Sequence, residues 1–218
     1  MSSQLVSVIL EGIRDSVYMI FMSTLFGYVI GLPMGVALAV TDKDGIAPNT
    51  VVYKILDVIS NLVRSIPFII LLVLLIPFTR TLIGKSTGPT AMIVSLTICA
   101  APYIARMVES SLKEVDPGVI EAARSMGASN WYIIVHVLLL EARTSLIVNA
   151  TICCGTILGY TAMAGTVGGG GLGNIAIQYG YYRWDTTIMI VTVILIIILF
   201  QIIQTVGMFI SKKLDRRK

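Results

Sequence analysis

Thr186–Ser211 reads TTIMIVTVILIIILFQIIQTVGMFIS, 26 residues without one charged side chain. At about 1.5 Å per residue, a helix of that length crosses the ~30 Å hydrocarbon core of a bilayer. It is apolar on every face, which suits lipid or a buried core and not a water-exposed surface. Four further runs share this character. Ser16–Thr41 and Ser86–Ala105 are uncharged throughout. Ser65–Thr79 becomes long enough if its helix begins near Val58 and Arg64 snorkels toward the interface. Thr144–Tyr182 is uncharged but too long for one crossing, and its glycine-rich half, Gly165–Gly173, predicts a helix break. The expected architecture is an all-α membrane protein, one domain over residues 1–218, with spans at 16–41, 58–79, 86–105, 144–165 and 186–211.

Composition agrees with this reading. Charged residues make up 13% of the chain, against roughly 25% in a soluble domain, and mean hydropathy is +0.89. The formal net charge of +4 does not point to nucleic acid, because its basic residues flank apolar spans. Twelve of the sixteen Lys and Arg fall in residues 42–64, 106–143 and 212–218, which alternate to one side. The other side holds Arg14, Arg80, Lys85 and Arg183. The positive-inside rule therefore predicts an outside N-terminus and a cytoplasmic C-terminus ending in Lys212-Lys213-Leu214-Asp215-Arg216-Arg217-Lys218. Tyr179, Tyr181, Tyr182 and Trp184 cluster where an outer aromatic belt would sit. The first apolar run lacks a basic n-region and is expected to be a retained helix, not a cleaved signal. Cys99, Cys153 and Cys154 lie inside spans without metal-ligand or disulfide spacing.

The longest cytoplasmic segment, residues 106–143, has its own capping grammar. Asp116-Pro117 reads as an N-cap followed by proline at the first helical position. Gly127 supplies a left-handed residue to end that helix, and Ser129 caps a second one carrying Trp131, Ile134, Val135 and Leu138. Two short amphipathic helices form a knob on the inner face, and its exposed apolar residues call for a partner.

Glu121-Ala122-Ala123, then three residues, then Gly127, with Val137-Leu138-Leu139 beyond, resembles the EAA loop of ABC-importer permeases. In that family the loop is a coupling helix that docks on an ATPase subunit. The resemblance assigns Glu121 a charge offered to the partner, Ala122 and Ala123 close approach, and Gly127 the bend. Leu140 stands where the family pattern has proline. The likeness extends along the chain through Arg64-Ser65-Ile66-Pro67-Phe68, Ala101-Pro102-Tyr103-Ile104-Ala105-Arg106 and Gly159-Tyr160-Thr161-Ala162-Met163-Ala164-Gly165 to the permeases of methionine importers. It implies a type I importer fold and a homodimer working with two ATPase subunits that carry ATP and Mg. It also implies a periplasmic or lipid-anchored substrate-binding protein, an inner-membrane location, and import of L- and D-methionine by alternating access. The chain itself is not expected to be an enzyme.

Several features keep two readings. Gly27, Gly31 and Gly35 with Pro33 read as close helix packing or as a gating kink. Met163, between Gly159 and Gly165 in span four, reads as a space filler or as a plug in the translocation path. Gly84-Lys85-Ser86 lacks the first P-loop glycine, and Gly168, Gly170 and Gly173 have no β-α-β context, so neither binds a nucleotide. His136, without acidic or Cys neighbours at ligand spacing, reads as an interface or surface residue and not a metal ligand. Glu109 and Lys113 form an i, i+4 pair, and Asp57 and Arg64 read as orienting charges. An importer for another amino acid or small solute shares the coarse features. A secondary transporter or channel predicts intramembrane acids or paired repeats, and the spans contain neither.

Overall fold

The structure is a computed structural model and describes residues 3–214, so Arg216, Arg217 and Lys218 of the basic tail lie outside the described residues. The described residues are mostly helical, without strands among them. Helix α1 (Ser3–Thr41) is longer than its apolar run, because Glu11, Arg14 and Asp15 pair on its surface. It passes Pro33 without ending.

Asn49 opens α2 (Thr50–Ser65) by accepting from the amides of Val51 and Val52 at 3.2 and 3.1 Å. The chain then turns by 106° into α3 (Phe68–Ile83). This corrects the expected continuous span at residues 58–79. Pro67 has no amide hydrogen and forces Ile66 into an extended conformation, with ψ 128°. Val58–Ser65 therefore belongs to the amphipathic α2. Among the described residues four helices are long and apolar enough to cross a membrane, and counting the bent pair α2–α3 as one span makes five.

Helix α4 (Pro89–Lys113) is the central post. Met92, Leu96, Ala100, Ile104 and Val108 repeat every four residues and are buried, most of them completely. The glycines of α1 let it lie against this row. A Cβ on Gly31 would meet the Ala101 carbonyl at 2.7 Å, and one on Gly35 would meet Val108 Cβ at 2.6 Å. The small-residue series is thus a packing seam. After two short helices, α5 (Pro117–Ser125) and α6 (Asn130–Glu141), the chain re-enters as α7 (Arg143–Ala164). A glycine-rich turn leads to α8 (Gly171–Ile175), and α9 (Thr186–Leu214) closes the fold by packing on α7, where Phe200 covers Gly155.

Candidate functional site

The knob is built as its capping residues predict. Asp116 Oδ1 accepts from the Gly118 amide at 2.7 Å and starts α5. At the other end Gly127 has φ 81°, its amide donates to Arg124 O at 2.9 Å, and Ala128 donates to Ala123 O at 3.1 Å. Those two bonds are a Schellman cap, which satisfies carbonyls the helix would leave open. Ser129 Oγ accepts from the Tyr132 amide at 3.3 Å and starts α6. A π-helical stretch, Ile133–Leu138, carries α6 toward Leu140, which is exposed and still helical where a proline would have turned the chain.

The tripeptide divides by helix face. Glu121 and Ala122 are exposed, as are Val119, Met126 (82%) and Trp131 (74%). Ala123 is 5% exposed and packs among Ile46, Val115, Ile133 and Leu138. Ala122 is therefore open at the surface, while Ala123 is turned into the core. Arg124 donates to the Ile46 carbonyl and ties the knob to the α1–α2 connection. His136 stacks on Tyr132 with ring centroids 4.4 Å apart and is exposed, as its sequence surroundings predict. No group of three metal-ligating side chains occurs among the described residues.

Below the knob runs a charge network that extends the Glu109–Lys113 pair legible in the sequence. Arg106 pairs with Asp57 and, at 2.7 Å, with Glu109. Lys113 reaches Glu109 at 2.8 Å and Asp42 at 2.7 Å. Tyr53 donates to Glu109 at 3.3 Å. Glu109 is therefore the buried hub joining the end of α1, α2 and α4, and Asp57 pairs with Arg106 instead of standing as a lone orienting charge with Arg64. A second polar clamp, Asn149 to Ser111 at 2.7 Å and to Met107 O at 3.2 Å, fastens α7 to the same end of α4.

The glycine break lies at the far end of α7. Gly168, Gly170 and Gly171 all have φ near 80°. The Ser16 hydroxyl accepts from the Leu172 amide at 2.9 Å, and Gly88 N donates to Gly168 O at 2.9 Å. The three gate candidates do not form one surface. Gly159 is exposed, with nothing within 4 Å of where a Cβ would stand, and Met163, four residues on, is 50% exposed. Gly165 is buried against the backbone of Gly173 and Asn174, so its role is packing and not lining.

Over residues 16–218 the chain matches the family described as binding-protein-dependent transport system inner membrane component. It belongs to that family. It is a multi-pass inner-membrane protein with the type I importer permease fold. The probable D-methionine transport system permease protein MetI of Vibrio cholerae is 46% identical over 203 residues, covering 93% of this chain and 90% of that protein. The D-methionine transport system permease protein MetI of Escherichia coli K12 is 49% identical over 165 residues, 76% of each chain. A structure of inward-facing conformations of the MetNI methionine ABC transporter contains a chain that superposes with TM-score 0.97 at 47% identity, covering 99% of this chain and 100% of that one. An amino acid ABC transporter solved with histidines shares the fold, with TM-score 0.74 at 18% identity.

Proposed function

We propose that this inner-membrane component is the permease of an ATP-driven importer of L- and D-methionine. The observation that carries the reading is the near-complete superposition, TM-score 0.97 over 99% of the chain, on a chain of a methionine transporter. The chain acts as a homodimer with two cytoplasmic ATPase subunits, which bind ATP and Mg, and receives substrate from a periplasmic or lipid-anchored binding protein. The excess of Lys and Arg on the knob side supports a cytoplasmic knob and C-terminus and an outside N-terminus.

The chain's part in this cycle is mechanical. Glu121, Ala122 and the exposed apolar residues around Gly127 dock on the ATPase. Ala123 and Arg124 hold α5 to the body, so a pull on the knob is passed to α1, α2 and α4 through Ile46 and the Glu109 network. Closure of the ATPase pair draws the two knobs together and opens the dimer outward. The exposed face of α7 at Gly159 and Met163 lines the path across the dimer axis.

The test is reconstitution with the ATPase and binding protein in liposomes, measuring ATP-dependent uptake of radiolabelled methionine. Glu121→Lys and Gly127→Pro are expected to insert normally and lose coupled uptake. Uptake of a different amino acid in place of methionine would reassign the substrate. Failure to associate with any ATPase would sink the importer reading.

A further inference from the structure

A groove of about 640 Å³ runs between α1, α7 and α9 and belongs to neither the knob nor the glycine break. Val17, Phe21 and Tyr28 line it on α1, Ala150 and Cys154 on α7, and Leu199 on α9. All three helices are long and apolar enough to cross a membrane, so the groove lies within the bilayer. Helices α1 and α9 each pack on α7, and the groove is the gap left between them. Its polar atoms are turned to each other. The Cys154 thiol donates to the Thr24 hydroxyl at 3.7 Å, which leaves an apolar lining.

A second copy of this chain and a lipid compete for such a groove. Gly159 and Met163, on the exposed face of α7 proposed to meet the dimer axis, each follow Ala150 and Cys154 by nine residues. Nine residues are about two and a half helical turns, so the groove opens on the opposite side of α7, away from that axis. From Val17 to Tyr28 it extends ~16 Å along α1, and one leaflet is ~15 Å deep, half of a ~30 Å hydrocarbon core. Its length therefore matches one acyl chain, entering from the N-terminal end of α1.

That end carries the charges a headgroup needs. Arg14 stands one turn before Val17, on the same stripe of α1 as Leu10, Val17 and Phe21. Its side chain is 71% exposed and pairs with Asp15 at 3.0 Å and Glu11 at 3.4 Å. Asp15 is turned toward the glycine-rich turn, 3.5 Å from where a Cβ on Gly170 would stand, while Glu11 is 65% exposed. The entrance thus offers a cation beside an accessible acid. This complements a phosphate that carries an ammonium group. With two acids to one cation, it disfavours a headgroup that is only negative.

We propose that the groove holds an acyl chain of one phosphatidylethanolamine molecule, whose phosphate meets Arg14 and whose ammonium meets Glu11. The lipid fills the gap between the first and last spans and ties α1 to α9. The choice of lipid over a second copy rests on the placement of the dimer axis at Gly159 and Met163.

The permease–ATPase complex, delipidated in detergent, is titrated with dioleoyl phosphatidylethanolamine or dioleoyl phosphatidylglycerol, and bound lipid is counted by native mass spectrometry. One phosphatidylethanolamine per permease copy is expected to bind ahead of all others and to raise the unfolding temperature of the complex. Arg14→Gln should weaken that binding about tenfold, the worth of one charge-assisted hydrogen bond, and Arg14→Lys should keep most of it. Phosphatidylglycerol should bind the parent more weakly than phosphatidylethanolamine. Ala150→Phe narrows the groove and should weaken binding without touching the headgroup. Equal binding of the two lipids, unchanged binding in Arg14→Gln, or unchanged binding in an assembled Ala150→Phe complex would each overturn the proposal. Arg14 is exposed, so Arg14→Gln decides alone should Ala150→Phe not assemble. In membrane vesicles, Phe21→Cys combined with Cys99→Ser, Cys153→Ser and Cys154→Ser should form no disulfide between protomers under oxidation. A cross-linked dimer would give the groove to a second copy and move the dimer axis. Absence of lipid selectivity without that cross-link rejects the lipid site and leaves the axis where it is.

Discussion

Lys113 Nζ lies 2.7 Å from Asp42 Oδ2, so the last turn of α4 is fastened to the exit of α1. The same ammonium reaches Glu109, which also holds Arg106 and Tyr53. Glu109 is 5% exposed, and two cations depend on it. Glu109→Ala leaves both without their shared anion. Breaking a buried ion pair from one side costs about 3–5 kcal/mol when it strands the partner; here Arg106 keeps Asp57 and Lys113 keeps Asp42, so the purified complex should lose thermal stability by less than that. A variant as stable as the parent would show that the network carries no weight.

Asp42 gives the network a pH dependence. The hydrogen bond from Lys113 holds its carboxyl below the usual carboxylate range, outweighing desolvation, which pushes the other way. A depressed folded-state value stabilises the protein above the unfolded value of about 3.9 and stops doing so as pH falls through the lower one. Stability of the parent should therefore decline below about pH 4. Asp42→Asn should lack that part of the decline while being less stable at neutral pH. Thermal unfolding of both proteins across that range is the measurement, and parallel declines would remove Asp42 as the cause.

Ala122 and Ala123 separate docking from folding. Ala123 packs in the core beneath the knob, so Ala123→Leu overfills it and costs about 1–3 kcal/mol. Ala122 is exposed, and Ala122→Leu should leave thermal stability unchanged while weakening co-purification with the ATPase. Loss of stability in both, or of association in neither, would refute this division.

Much of this is legible where the information is local. Asp116, Gly127 and Ser129 act through residues within five positions of themselves, and uncharged runs mark the spans. The turn at Pro67 is hidden because averaging over residues 58–79 gives a span-like stretch whatever the backbone does, although Ile66-Pro67 carries the signal. The charge network joins residues 49 apart at Arg106 and Asp57, which no helix-period rule connects. The inward face of Ala123 escapes sequence reading because a nine-residue helix has too few turns to show which side is buried. Ile120, three residues before it and packed on the same cluster, is the available clue.

Gly127 is required for its backbone alone. Its φ of 81° is unfavourable for any residue with a Cβ, yet nothing lies within 4 Å of where that atom would be. Gly127→Ala should therefore destabilise the α5–α6 junction by about 1–2 kcal/mol, and Gly127→Asn by less, since Asn tolerates the left-handed region. Hydrogen exchange at the Ala128 amide, which closes the cap on Ala123 O, is the direct measurement. Equal protection in all three proteins would mean that the cap does not hold the knob.

Gly159 and Gly165 lie six residues apart and make opposite predictions. A Cβ on Gly165 would sit 2.5 Å from Gly173 C and 2.9 Å from Asn174 Cα, and backbone on a packed turn cannot yield as a side chain can. Gly165→Ala should push α8 off α7 and cost several kcal/mol, at the large end of single substitutions. Gly159 has open space instead, so Gly159→Ala should fold as the parent does. Any effect of that variant should then appear in methionine uptake, because the added methyl projects from the face that carries Met163. Thermal unfolding and uptake, measured side by side, decide between the roles. A stable Gly165→Ala protein would remove the packing role, and a Gly159→Ala protein that unfolds early would show that its exposed face is already engaged within the dimer.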